Sequence, residues 1–270
     1  MRFGNHQYPI WLKRAVRPAI LQVRYAGVQP EDMVLASYPR SGSTWLRFLL
    51  TESLTGHPAE WNDVNRLIPY VGDHSGAASL LPHGGRLVKT HDRRSGRCKR
   101  GILLVRDPRD VFVSEYRWLV RGGYNHDIDT FLKAFLQGSL SLFGTWAEHT
   151  RYWLGSELER TGQMHLARFE DLRGDPAKVV RGILAFMDVR ADDDFVDAAV
   201  ASNTIERSRE KEARASARDV KRFATKMRFV GEGSVEGWRA KLTREQIQQI
   251  ENHAGDLLKV LGYSPRPSQT

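Results

Sequence analysis

The sequence predicts an α/β fold: a mostly parallel central sheet flanked by helices, with one strand–loop–helix suited to binding phosphate. Three observations predict it. Short apolar strands alternate with helix-periodic stretches along the 270 residues, as they do when helices cover both faces of a parallel sheet. Polar clusters stand at three strand ends, 39–44, Lys89–His91 and Arg106, where ligands bind in such folds. The chain is 41% hydrophobic and 27% charged, so it can bury a core and is not a disordered chain.

The elements follow in order. Residues 10–23 suit a short basic amphipathic helix with Trp11, Leu12, Ile20 and Leu21 as anchors. It packs on the domain or touches a membrane surface. Met33–Tyr38 is a continuous apolar run bounded by turn residues, a buried strand. Pro39–Ser43 is a turn, and Thr44 opens a helix carrying Trp45, Leu46, Phe48, Leu49 and Leu50. Arg86–Thr90 and Gly101–Val105 are two further strands. Pro108 fits a first helical turn, and Val111–Val120 continues it. Gln163–Phe169 is a fourth strand. Asp175-Pro176 starts a helix running to about Met187. Thr243 caps a last long helix to Leu261, with Gly262 beyond its end. Segments 55–85, 122–142 and 202–236 lack clear periodicity and suit substrate loops or lids. The domain reading is an N-terminal basic segment, 1–32, before a single domain, 33–270, with a lid at 203–236.

Charge narrows the partners. Forty-one Lys and Arg against 32 Asp and Glu give +9, which favours anionic ligands. Arg93–Arg109 holds seven basic residues against one acid, and Glu206–Arg228 nine against four. The single cysteine, Cys98, excludes an intrachain disulfide and a cysteine-built metal site. It stands between Arg97 and Lys99, which favour a thiolate, but it is read as a bystander to the chemistry. No apolar run approaches the ~18 residues of a membrane span. The first 30 residues lack the layout of a signal peptide, so the expected location is the cytoplasm. No nucleic-acid-binding motif is present, so nucleic acid is not an expected partner.

The chemistry lies in three motifs. In Tyr38-Pro-Arg-Ser-Gly-Ser-Thr-Trp-Leu46 a strand enters a glycine turn and then a helix. Backbone N–H groups at a helix start form an anion nest. Ser41, Ser43 and Thr44 add hydroxyls, and Arg40 adds charge. The turn lacks Gly-Lys-Ser/Thr, so it is not a magnesium-dependent triphosphate loop. In Val88-Lys-Thr-His91, the histidine can take a proton near neutral pH, and Lys89 lies two residues away on the same face. In the third, Arg106 ends a strand and Ser114 follows eight residues on, placed to hold one phosphate together.

Together these motifs resemble the sulfotransferases that use 3′-phosphoadenosine 5′-phosphosulfate (PAPS). The 39–45 turn is similar to that family's 5′-phosphosulfate loop, Lys89-Thr90-His91 to its catalytic Lys-Thr-His, and Arg106 with Ser114 to its 3′-phosphate pair. Phe169-Glu-Asp-Leu172 is similar to its Tyr-Glu-Asp segment. Phe229–Thr243, with Gly231, Gly233 and Trp238, is similar to its closing motif. The resemblance spans roughly 33–262. It implies transfer of a sulfuryl group from PAPS to a hydroxyl or amine, without a metal. Arg40 and the amides of Gly42–Thr44 would stabilise the leaving phosphate, Lys89 would steady the sulfuryl group, and His91 would act as general base. Trp45 would stack on adenine, and Asn203 or Thr204 would bond its edge.

Three positions depart from the family. Arg40 stands where lysine is common, and arginine is a bidentate donor. Phe169 replaces the usual tyrosine. Gly231-Glu232 occupies the place of an Arg-Lys pair, so the 3′-phosphate needs other donors: Arg228, Lys226, Arg222 or Lys221. The acceptor is open: a small molecule, a glycan or a lipid all fit. Trp61, Tyr70, Trp118, Tyr124, Phe143 and Trp146 could line its pocket or belong to the core. Two other readings remain from the residues alone, a phosphoryl-transfer nucleotide enzyme and a non-catalytic polyanion-binding protein.

Overall fold

A computed structural model describes residues 10–215 and 230–264. Four strands, β1 (Met33–Ser37), β2 (Leu87–Thr90), β3 (Arg100–Val105) and β4 (Met164–Arg168), form one parallel sheet in the order β2-β1-β3-β4. Val34 pairs with Val88 on one side and Gly101 on the other, and Leu103 pairs with Leu166. All four expected strands are present, to within a residue or two at each end. β1 is buried along its whole length, which explains its unbroken apolar run.

The pleat sends alternate side chains to opposite faces. Met33 and Leu35 join Leu46 and Leu49 of helix α2 (Ser43–Thr55), with Ile183 of α9 (Pro176–Phe186) and Val196 of α10 (Asp193–Ser202). Val34 and Ala36 face Val111 and Phe112 of α4 (Pro108–Arg121), Trp153 of α6 (Trp146–Leu154) and Trp238. The two faces have separate cores, as a doubly covered sheet requires. Asp107 caps α4 and accepts from the Arg109 amide, with Pro108 in the first turn. Asp175 caps α9 in the same way, accepting from Lys178 N.

Two expectations need correction. The segments read as aperiodic contain regular helices: α3 (Trp61–Leu67), α5 (Ile128–Leu136) and α11 (Ile205–Arg214). Each is short, and α11 is nearly all polar, so their periodicity is weak over a sequence window. The last long helix is two, α12 (Arg244–Ala254) and α13 (Leu257–Val260). Gly255 breaks it with φ 61° and ψ −135°, a conformation outside the helix that glycine permits. The N-terminal helix is present as α1 (Ile10–Arg24). The shorter helices α7 (Glu157–Arg160) and α8 (Phe169–Gly174) complete the elements used below.

Candidate active site

Parallel strands bring the carboxyl ends of β1, β2 and β3 to one edge. After β1 the chain turns through Arg40 (φ 66°) and Gly42 (φ 90°) into α2. Only glycine fits at 42. A Cβ there would stand 2.4 Å from the Phe169 ring. The first amides of α2 have no acceptor within the helix, and the helix dipole adds positive potential at this end. Ser41 Oγ is buried in the same turn without a partner among the described residues. A buried hydroxyl left this way in a nest of amides fits an anionic ligand that supplies the missing acceptor.

Arg106, at the end of β3, donates to Arg40 O (3.0 Å) and Ser234 O (2.9 Å). Its guanidinium lies 4.2 Å from the centre of the Phe169 ring, and its Nε is buried without a partner among the described residues. The residue that replaces tyrosine is therefore a platform. It supports Arg106 on its face and packs an edge against Gly42. Arg40 Nε donates to Ser114 Oγ (3.3 Å), and its guanidinium lies 5.6 Å from the Trp118 ring. The expected pairing of Arg106 with Ser114 is thus indirect: Ser114 holds the Arg40 side chain, and Arg106 holds the Arg40 carbonyl.

Burial lowers Arg40 to about 10, although the Glu115 charge pulls it back up. Glu115 shows the reverse. Burial raises it to about 7, against the attraction of Arg40, and its Oε2 has no hydrogen-bond partner. Sequence reasoning missed Glu115. The one available signal was its place next to Ser114 on the helix that follows Arg106.

The β2 end places Lys89 and His91 beside Ser37. Lys89 Nζ is 3.0 Å from Ser37 Oγ, 2.7 Å from Thr90 O, 3.0 Å from His91 Nδ1 and 3.4 Å from His91 Nε2. His91 Nδ1 lies 2.6 Å from Ser37 O. A carbonyl only accepts, so Nδ1 carries the proton and Nε2 keeps the lone pair. Burial holds His91 well below the usual histidine range, and the Lys89 charge adds to this. Burial also holds Lys89 well below the usual lysine range, with Arg47 lowering it further. The imidazole is neutral at pH 7, with its basic nitrogen set by the Ser37 carbonyl. Tyr70 and Phe143 pack against His91 with ring centres 6.0 and 5.3 Å away.

Not every expected residue lies at this edge as read. Trp45 stands edge-on to Phe169, with Arg173 5.4 Å from its ring, and its Nε1 donates to Asn203 O (2.8 Å). The Asn203 side chain is not free to read a base edge. Its amide donates to Glu52 Oε2 and Ala199 O, both at 2.8 Å, and its Oδ1 accepts from Lys211 (2.9 Å). Asn203 thus braces Trp45 from behind. Thr204 caps α11 by accepting from Arg207 N.

Gly233 has φ 58°, and the Gly231 carbonyl accepts from Arg209. Glu232 is paired with Arg117 and Lys241, which lower it to about 2. Arg228, Lys226, Arg222 and Lys221 lie outside the described residues. Among the aromatics, Tyr70, Trp118 and Phe143 adjoin the site. Trp61 packs on Phe48, Tyr124 is in the core, and the buried Trp146 donates to Arg106 O. Burial pushes Cys98 up to about 12, with the Asp32 charge adding to the rise.

Comparison with known proteins gives a consistent result. A family model, the sulfotransferase domain, matches residues 30–262. Rat sulfotransferase 2A1 is 26% identical over 254 residues, covering 88% of this chain and 87% of its own. The guinea-pig (Cavia porcellus) 3-beta-hydroxysteroid sulfotransferase is 26% identical over 287 residues, covering 98% and 94%. In fold, the chain resembles mouse sulfotransferase SULT7A1 complexed with PAP, with a TM-score of 0.70, 18% identity and coverage of 93% and 94%. Retinol dehydratase in complex with retinol and PAP gives a TM-score of 0.64 at 21% identity, covering 90% and 86%. Among the described residues, no helix is long and apolar enough to cross a membrane. With a match that spans most of its length and a strand-end site of the kind just described, this chain belongs to the sulfotransferase family.

Proposed function

We propose that the protein transfers the sulfuryl group of PAPS to a hydroxyl or amine of a small-molecule acceptor, with His91 as general base. The observation that carries this reading is the juxtaposition at one sheet edge of an anion nest with an unpartnered Ser41 hydroxyl and a neutral histidine whose Nε2 keeps its lone pair. Bound PAPS supplies an activated sulfuryl group on a leaving phosphate. The chain's own residues do the rest.

The turn amides, Arg40 and Ser41 bind the 5′ end, where negative charge grows as the S–O bond breaks. Donors fixed at that point favour the transition state over the ground state. Arg106 holds the Arg40 backbone, so the turn stays in place without reorganising. Its buried, unpartnered Nε suits the 3′-phosphate. His91 Nε2 takes the proton from the acceptor. Lys89 donates towards the same space and neutralises charge on the moving group. Trp45 offers its ring to the base. The stretch 203–236 is proposed as a lid over the bound cofactor.

Small-molecule chemistry suits the aromatic surroundings of His91, and relatives named for steroids and retinol support it. Calorimetry with adenosine 3′,5′-bisphosphate (PAP), followed by an acceptor screen with labelled PAPS, tests the reading. The wild type is expected to bind PAP and to transfer label. Arg40→Ala is expected to lose ~10²–10³ in turnover with a smaller loss of PAP affinity. Absence of PAP binding by the wild type would overturn the assignment.

A further inference from the structure

Helix α1 is built inside out. At ~100° per residue, positions 12, 16, 19, 20 and 23 share one stripe about 100° wide. All five are apolar: Leu12, Val16, Ala19, Ile20 and Val23. Most of that stripe faces away from the domain, with Val16 and Ile20 each 46% and Val23 77% exposed and Leu12 half-buried. The arginines point the other way. Arg14 donates to Gly138 O and to Ser141 O (2.9 Å). Arg17 pairs with Asp92 and lies 4.8 Å from the Phe143 ring. Arg24 donates to Val71 O (2.6 Å) and lies 3.6 Å from Asp92. Leu21 packs on the core beside these polar bonds to carbonyls and one carboxylate, while the stripe of Val16, Ile20 and Val23 is covered by none of the described residues. A surface helix of an isolated domain has the opposite arrangement.

The surroundings select the occupant. Residues 10–24 and 92–99 hold eight lysines and arginines against one acid, Asp92; Arg14, Arg17 and Arg24 are bonded inward and Arg93 pairs with Glu148, so Lys13, Arg94, Arg97 and Lys99 are the cations beside the stripe. Arg94 reaches Gln22 of α1 (3.4 Å), so the basic run 93–99 flanks the helix. Arg93, Arg97 and Lys99 are exposed. A second copy of this chain meeting the stripe about a twofold axis would bring this charge against itself. An anionic lipid surface would meet it with opposite charge, and it would take the apolar stripe into its acyl boundary.

We propose that α1 docks the protein on anionic membrane surfaces through Leu12, Val16, Ile20 and Val23, with the flanking lysines and arginines on the headgroups. The proposal is independent of the transfer chemistry. It does place the membrane beside the acceptor side, because Arg14 and Arg17 grip the 138–143 loop that packs on His91.

The test is co-sedimentation of the whole protein with phosphatidylcholine vesicles, with and without about 30% phosphatidylserine, at low and high salt. The wild type is expected to bind the anionic vesicles on the order of tenfold more than the neutral ones, and to be released by salt. The variant V16E/I20E/V23E is expected to lose this binding while keeping PAP affinity, which shows that it is folded. Three outcomes would overturn the proposal. The wild type could ignore anionic vesicles. The variant could bind as well as the wild type, which would make the attraction a property of the general basic surface. Sedimentation could show a wild-type dimer that the variant lacks and no vesicle binding, which would make the stripe a self-association face.

Discussion

In the proposed mechanism, His91 is the base that takes the acceptor's proton. Its proton is placed by the Ser37 carbonyl, and its basicity is lowered by burial and by Lys89. A histidine depressed in this way stays neutral well below pH 6.5 and is a competent base throughout the neutral range. Turnover is therefore expected to be flat from pH 8 to pH 6.5 and to fall only below the ordinary histidine range, as protonation removes the lone pair. His91→Ala is expected to bind PAP normally and to lose ~10²-fold or more in turnover. Steady-state rates against pH, with calorimetry on the variant, check both. Loss of PAP affinity with unfolding would make the histidine structural. His91 and Lys89 were legible in the sequence because both stand on one short motif at a strand end. Ser37 was not, because its role arises only when β1 and β2 are paired.

The turn between β1 and α2 acts as a unit with the start of α8. Gly42 and Phe169 are 127 residues apart, yet a Cβ at 42 would penetrate the ring. That ring also carries Arg106. Gly42→Ala is expected to weaken PAP binding by at least about tenfold, from the ring contact and from a left-handed backbone that costs ~1–2 kcal/mol without glycine. In a Phe169→Ala background the same change is expected to cost less, because the contact is gone and the backbone term remains. An equal cost in both backgrounds would mean that the backbone alone requires glycine. Phe169 read as a lost tyrosine hydroxyl in the sequence. Only the packing makes it a platform, since stacking depends on neighbours that the linear order separates.

Across the whole molecule, buried ionisable groups set how stability responds to pH. Glu115 is raised to about 7 from an ordinary 4.5. Between those values the folded state binds more protons than the unfolded state, so this group's contribution to stability falls as pH rises through the window. The buried histidines act in the opposite direction. His149, lowered to about 3, costs stability as pH falls below 6.5, because the unfolded chain then binds the proton. Glu115→Gln is expected to raise the melting temperature of the ligand-free protein at pH 8 and to change it little at pH 4.5. Scanning calorimetry across that range checks it, and an equal shift at both pH values would exclude the linkage.

The parallel α/β architecture, the glycine turn that leads from β1 into α2 and the placing of Lys89 and His91 at a strand end are all written in the linear order of residues. Each depends on local order: an apolar run long enough for one strand, a glycine where the chain must turn, and reactive residues at a strand end. The tertiary structure alone decided what those residues touch. It gave Asn203 to Glu52 and Lys211, left Glu115 half-buried beside Arg40, and set three helices where periodicity was too short to read. It also turned the arginines of α1 inwards. The physical reason is that desolvation and pairing depend on neighbours brought from distant parts of the chain, while the propensity of a segment depends only on itself.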